Sequence, residues 1–152
     1  MSDSDLIKLY SGRILELAAD IPHTGRLPAP QGTARRRSPL CGSTVTVDVT
    51  LTDGKVADFA QDVKACALGQ AAASVMGRAL AGRTRAEVEA GRDALQAMLK
   101  DAGPVPAAPW AGFEVLMPAR DYRNRHASIL LAMEAAVEAM AAAERGAKAA
   151  QG

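Results

Sequence analysis

An α+β fold, a small antiparallel sheet packed on one face by helices, is what the chain predicts from three features. Val45, Val47, Val49 and Leu51 alternate with polar residues, turn at Asp53-Gly54 and return as a second run to Val63, a hairpin over about residues 44–63. Other stretches carry apolar residues at three- and four-residue steps, and proline- and glycine-rich connectors separate them. A hairpin followed by several helices gives this class.

Ahead of the hairpin, Leu6, Leu9, Tyr10, Ile14 and Leu17 recur at helical steps behind the acidic start SDSD, which offers N-cap residues for a first helix that Pro22 ends. Residues 21–40 hold four prolines, two glycines and the run Arg35, Arg36, Arg37, so they read as a loop or extended arm. In the hairpin, Thr44, Thr46, Asp48 and Thr50 alternate with the valines to give a half-buried strand; the return strand sets Ala57, Phe59 and Val63 on one side. From Cys66 the period becomes helical, with Leu68, Ala72, Val75, Met76, Ala79 and Leu80 on one face and Gly82 as a C-terminal cap. TRAE at residues 84–87 has the capping-box form and opens a third helix through Val88, Leu95, Met98 and Leu99 to Gly103-Pro104. A proline-rich connector over residues 103–120 leads to a last helix from about His126, with Ile129, Leu130, Met133, Val137 and Met140 facing inward. There is no internal repeat, and residues 1–152 read as a single domain.

Composition narrows the function classes. A chain of 152 residues can bury a core without disulfides or a structural metal. With only 3% aromatic residues, that core is built from Ala, Val, Leu, Ile and Met, and platforms for stacking bases are scarce. Lys and Arg total 18 against 17 Asp and Glu, a net charge of +1 that supplies no field for nucleic acid or an anionic membrane, so neither is expected as a partner. The acidic N-terminus lacks the basic start and apolar core of a signal peptide, and no apolar stretch is read as reaching the ~20 residues of a spanning helix. The expectation is a cytoplasmic protein whose two cysteines stay reduced.

Three side chains able to ligate a metal fall at element boundaries: Cys41 ahead of the first strand of the hairpin, Cys66 at a helix start and His126 at the start of the last helix. A thiol at a helix N-terminus faces exposed amides and the positive end of the dipole, which favour the thiolate for metal binding or nucleophilic attack; Cys66 is the better candidate. The separations match no zinc-finger spacing. By residue type alone, plainer readings stand beside these. A free cysteine packs as a small hydrophobe, His23 and His126 serve as hydrogen-bonded surface or cap residues, the arginine run is a solvated arm, and Met76, Met98, Met133 and Met140 fill the core.

Four motifs stand in order along the chain: LYSGRILELAADIPHTGRL, SPLCGS, VKACALGQAAASVMGRALAGRT and RHASILLAMEAA. They resemble, in turn, the opening helix with its NPRNxGxL loop, the NPxCGD motif, the GxGCxISxASASMM segment and the HCSxLAxxA stretch of the IscU/SufU/NifU N-terminal family of iron–sulfur cluster assembly scaffolds. The resemblance implies an IscU/SufU-like fold. It also implies a site where three cysteines and the CGD aspartate converge on a nascent [2Fe–2S] cluster or a zinc ion, with the histidine beside the third cysteine serving in some members. Carried over residue by residue, it puts cluster or metal binding on Cys41, Cys66 and His126, with Ser43 in place of the aspartate and Ala127 in place of the third cysteine. Serine is a poor ligand beside carboxylate and alanine is none. A fourth ligand would then come from water, His23, a carboxylate such as Asp121, or a second subunit, a homodimer being one way to complete the site. The MPARDYRNRHAS stretch departs from the LPPVK of the IscU branch, so chaperone-assisted release is not implied.

The function this resemblance implies is an iron–sulfur cluster assembly scaffold or carrier rather than a catalyst, binding iron or a [2Fe–2S] cluster through an incomplete ligand set. A cysteine desulfurase would supply the sulfur and a recipient apo-protein would take the cargo. Two alternatives stay open. One is a zinc-assisted sulfur acceptor, in which a thiolate attacks the desulfurase persulfide. The other is a degenerate, metal-free interaction module whose cysteines simply pack.

Overall fold

The computed structural model describes residues 11–39 and 42–151, with residues 147–151 described by their backbone alone. The elements are α1 (Gly12–Ala19), β1 (Gly32–Arg37), β2 (Thr44–Thr52), β3 (Lys55–Lys64), α2 (Ala67–Ala79), α3 (Arg85–Lys100), a 3-10 helix (Ala111–Asp121) and α4 (Arg123–Gln151). Leu6, Leu9 and Tyr10 of the expected first helix lie outside the described residues, and α1 starts behind Ser11, whose hydroxyl accepts from the Ile14 amide at 3.4 Å.

β2 and β3 form the expected hairpin. Asp53 and Gly54 both take positive φ, 53° and 78°, as the two central residues of a type I′ turn must. One detail of the return strand differs: pairing passes from Thr50↔Asp58 to Leu51↔Val56, which leaves Ala57 as a bulge residue. The extra residue resets the alternation, so Val56 turns inward with Phe59, both 2% exposed, and Ala57 faces solvent.

The arm over residues 21–40 is a loop only in part, because its arginine run forms β1, an edge strand antiparallel to β2 in the order β1-β2-β3. The alternation there is written in small and charged residues. Gly32, Ala34 and Arg36 are in register with Val49, Val47 and Val45 on the face that meets the helices, and Arg36 pairs with Glu134 and Glu138 of α4 at 2.7 Å each. The rest of the arm is tied to the opposite face by Asp48, which accepts hydrogen bonds from Arg26, the Leu27 amide and the Thr33 hydroxyl.

α4 lies across β1 and β2, with α2 and α3 packed against it and α1 against α2. Valines 45, 47 and 49, Phe59, Leu68, Met76, Leu95, Met98, Ile129, Met133 and Met140 are buried between the layers. The stretch Arg123–Gly146 is, against the sequence expectation, long and apolar enough to cross a membrane, yet 72% of its apolar window is buried inside the protein, which makes it a core helix. The proline-rich connector also folds. Phe113, Leu116 and Ala119 are buried at steps of three, the period of a 3-10 helix. Arg120 then donates to the Met98 and Gly103 carbonyls and so closes the C-terminal end of α3.

The capping box at the start of α3 is complete: the Thr84 hydroxyl accepts from the Glu87 amide at 3.2 Å, and the Glu87 carboxylate accepts from the Thr84 amide at 3.1 Å. Thr84→Ala is expected to cost about 1 kcal/mol in urea unfolding with an unchanged denaturant slope.

Candidate functional site

Cys66 is the N-cap of α2, in extended backbone, and its thiol forms no cap bond to the helix amides. Its carbonyl accepts the first helical bond, from Gln70 at 2.9 Å. The thiol instead lies 3.4 Å from the Ser128 hydroxyl on α4, and that hydroxyl donates to Ser43 at 3.1 Å. Ser43 and Ser128 are 4% and 2% exposed, while Cys66 is half-buried, so two covered hydroxyls back a thiol that reaches solvent. With Ser128 donating to Ser43, the Cys66 S–H donates to Ser128.

Local geometry explains why these elements meet. Gly69, one turn into α2, has no side chain where a Cβ would stand 2.8 Å from the Ser128 hydroxyl, so α2 and α4 approach closely there. The loop that carries Cys41 is closed on itself: the Ser38 amide donates to the Ser43 carbonyl at 2.8 Å, and the Gly42 amide to the Ser38 carbonyl at 2.9 Å. Gly42 takes φ +72°, which a glycine adopts without strain. Cys41 itself lies outside the described residues, two positions before Ser43.

His126 is 3% exposed and serves a different neighbourhood. Its Nε2 sits 3.0 Å from the carbonyls of both Ala119 and Arg120; because carbonyls only accept, Nε2 carries the proton and Nδ1 is the nitrogen with a free lone pair when the ring is neutral. Two residues apart on a helix, the His126 and Ser128 side chains leave α4 about 200° around from one another. His126 and Asp121 line a cleft of about 750 Å³ with Lys100, Asp101, Arg120 and Arg123, a lining that does not include Cys66, Ser43 or Ser128. His23 stacks on Phe59 with ring centroids 4.2 Å apart. The structure therefore joins Cys66 to Ser43 and places His126, Asp121 and His23 elsewhere. Among the described residues no three of His, Cys, Asp and Glu gather closely enough to hold a metal ion. Ser128 and Gly69 were not singled out from the sequence; their signal was adjacency, Ser128 following the His-Ala pair and Gly69 following Cys66 by three.

The model of the NifU-like N terminal domain family matches residues 9–140, and the chain belongs to that family. Among solved structures, an N-terminal nitrogen-fixing NifU-like protein from Brucella abortus is 45% identical and superposes with a TM-score of 0.89, covering 93% of this chain and 98% of that one. A putative iron–sulfur cluster assembly scaffold protein for the SUF system from Fervidobacterium islandicum is 19% identical with a TM-score of 0.78, covering 88% of this chain and 98% of that one, and shares the fold. A hypothetical protein at 24% identity has the same TM-score of 0.78, over 89% of this chain and 98% of its own. The comparison with curated proteins returns no match.

Proposed function

We propose that this chain is an iron–sulfur cluster assembly scaffold or carrier, holding iron or a [2Fe–2S] cluster as cargo on Cys41 and Cys66. The supporting observation is the hydroxyl chain from Cys66 through Ser128 to Ser43, which ties the second thiol to the loop that carries the first. Membership of the NifU-like N terminal domain family supports the cargo assigned. The donor set fits that cargo incompletely. Two cysteines per chain cannot fill the four protein positions of a thiolate-held [2Fe–2S] cluster, and His126 lines a separate cleft, so the others fall to oxygen donors or a second copy. Sulfur would come from a cysteine desulfurase, and the cargo would pass to a recipient apo-protein.

A second reading is favoured by one observation. Cys66 is half-buried at a helix N-terminus with a hydroxyl 3.4 Å from its sulfur, surroundings that suit a nucleophile. In that reading the chain accepts sulfur as a Cys66 persulfide, with zinc in place of iron.

The test is iron, zinc and acid-labile sulfide analysis of protein purified and reconstituted without oxygen, with visible absorption recorded alongside. Iron with equal sulfide and thiolate-to-iron charge-transfer bands is expected in the wild type and lost in Cys66→Ala. Unchanged cluster content in Cys66→Ala would remove Cys66 from the ligand set. Zinc alone, with one added sulfur on Cys66 after incubation with desulfurase and cysteine, would establish the acceptor reading.

A further inference from the structure

The second face of the sheet, away from the helices, carries charge in a regular pattern. Register places Arg35, Thr46 and Asp62 in one row across the three strands and Arg37, Thr44 and Lys64 in the next. A groove of about 300 Å³ lies here, with Arg35, Thr44, Thr46, Asp62 and Lys64 in its lining. Thr46 is only 9% exposed and lines this groove, yet its hydroxyl bonds to no other described residue. Arg26, also in the lining, spends its charge on Asp48. Arg35, Arg37 and Lys64 form no ion pair among the described residues; Arg35 and Lys64 line the groove with Asp62, and Asp58 stands further along the same face in register with Thr50.

We infer that this face docks an acidic segment of a protein partner, a carboxylate entering the groove between Arg35 and Lys64 over the Thr46 hydroxyl. The cations sit on the two outer strands, β1 and β3, separated by two strand spacings of about 4.8 Å each. That spread exceeds one small anion and suits successive acidic side chains. A nucleic acid is disfavoured by the net charge of +1 and the 3% aromatic content. The face also ends at the thiol: Lys64 is two residues before Cys66, and Arg37 directly precedes Ser38 of the Cys41 loop. The inference stands on charge and register and holds whatever cargo the thiols carry.

The probe is a fluorescently labelled hexaglutamate peptide, titrated with the full chain at low ionic strength and followed by anisotropy. Saturable binding that weakens as salt is added is expected. Arg35→Glu with Lys64→Glu should weaken it about tenfold. Thr46→Val, which keeps the shape and every charge, should weaken it about threefold. Arg13→Glu, on the helical side, should leave it unchanged. Equal losses from Arg13→Glu and the double variant, or no loss in the double variant, would overturn the inference. So would inorganic phosphate displacing the peptide at equal charge concentration, or an oligothymidylate binding more tightly than the peptide.

Discussion

Gly32→Ala is expected to destabilise the protein by about 3 kcal/mol, the upper end of what overpacking a core usually costs, and to lower Tm by about 10 °C. Gly32 opens β1 on the face that meets α4, in register with Val49. A Cβ there would run into the Ala139 carbonyl oxygen and the Ala143 amide nitrogen and Cα. These are backbone atoms of a helix, so no side-chain rotation can make room; either the strand or α4 must move. α4 sits this close because it presents Ala135, Ala136, Ala139 and Ala143, all buried, along its sheet-facing side. Moving it would open voids beside Val47 and Val49 and strain the Arg36 pairs with Glu134 and Glu138. Gly12→Ala is the matched control: nothing lies within 4 Å of its added Cβ, and at the start of α1 it should be neutral or stabilising by a few tenths of a kcal/mol. Urea unfolding of both variants gives the comparison. A loss below about 1 kcal/mol for Gly32→Ala would mean that strand and helix slide apart at little cost.

What could be read from the sequence divides along a physical line. The hairpin, its Asp53-Gly54 turn and the Thr84 capping box are local devices, and each is found where the residues put it. Family membership was legible in the order of the motifs. β1 was missed because its inward residues are Gly32, Ala34 and Arg36; the burial of that face comes from α4, a hundred residues later. The 3-10 helix is hard to read locally because Pro118 stands inside it and its buried residues, Phe113, Leu116 and Ala119, follow a three-residue period too short to separate from a loop. Cys66 at a helix start was local and found. The Ser128 hydroxyl on its sulfur needs α2 and α4 to be neighbours, which no local pattern states. His126 shows how far a boundary matters. With α4 beginning at Arg123, the ring falls in the first turn and bonds back to the 3-10 helix, on another side of α4 from Ser128.

Asp48 anchors the arm to the sheet, and its replacement should show in the acid limb of stability. The carboxylate is fully buried in the middle of β2 and accepts from Arg26 Nε at 2.7 Å and Nη2 at 3.1 Å, from the Leu27 amide at 3.0 Å and from the Thr33 hydroxyl at 2.6 Å. Burial pushes its pKa up, but the bonds from Arg26, Thr33 and Leu27 and the guanidinium charge outweigh it, and the group is held below the ordinary aspartate value. A carboxyl whose pKa is lower folded than unfolded stabilises the fold above its unfolded value, about 3.9, and that contribution is lost as pH falls through the folded one. Asp48→Asn is expected to cost about 2–3 kcal/mol at neutral pH, because the amide offers one acceptor and a misplaced donor to three donating groups. Arg26 is half exposed and recovers solvent, so the loss falls mainly on the Thr33 hydroxyl and the Leu27 amide. Urea unfolding of wild type and variant from neutral pH downward should therefore show two curves that converge as pH drops below about 4. A gap that stays constant into acid would mean that Asp48 holds the arm by shape and not by charge.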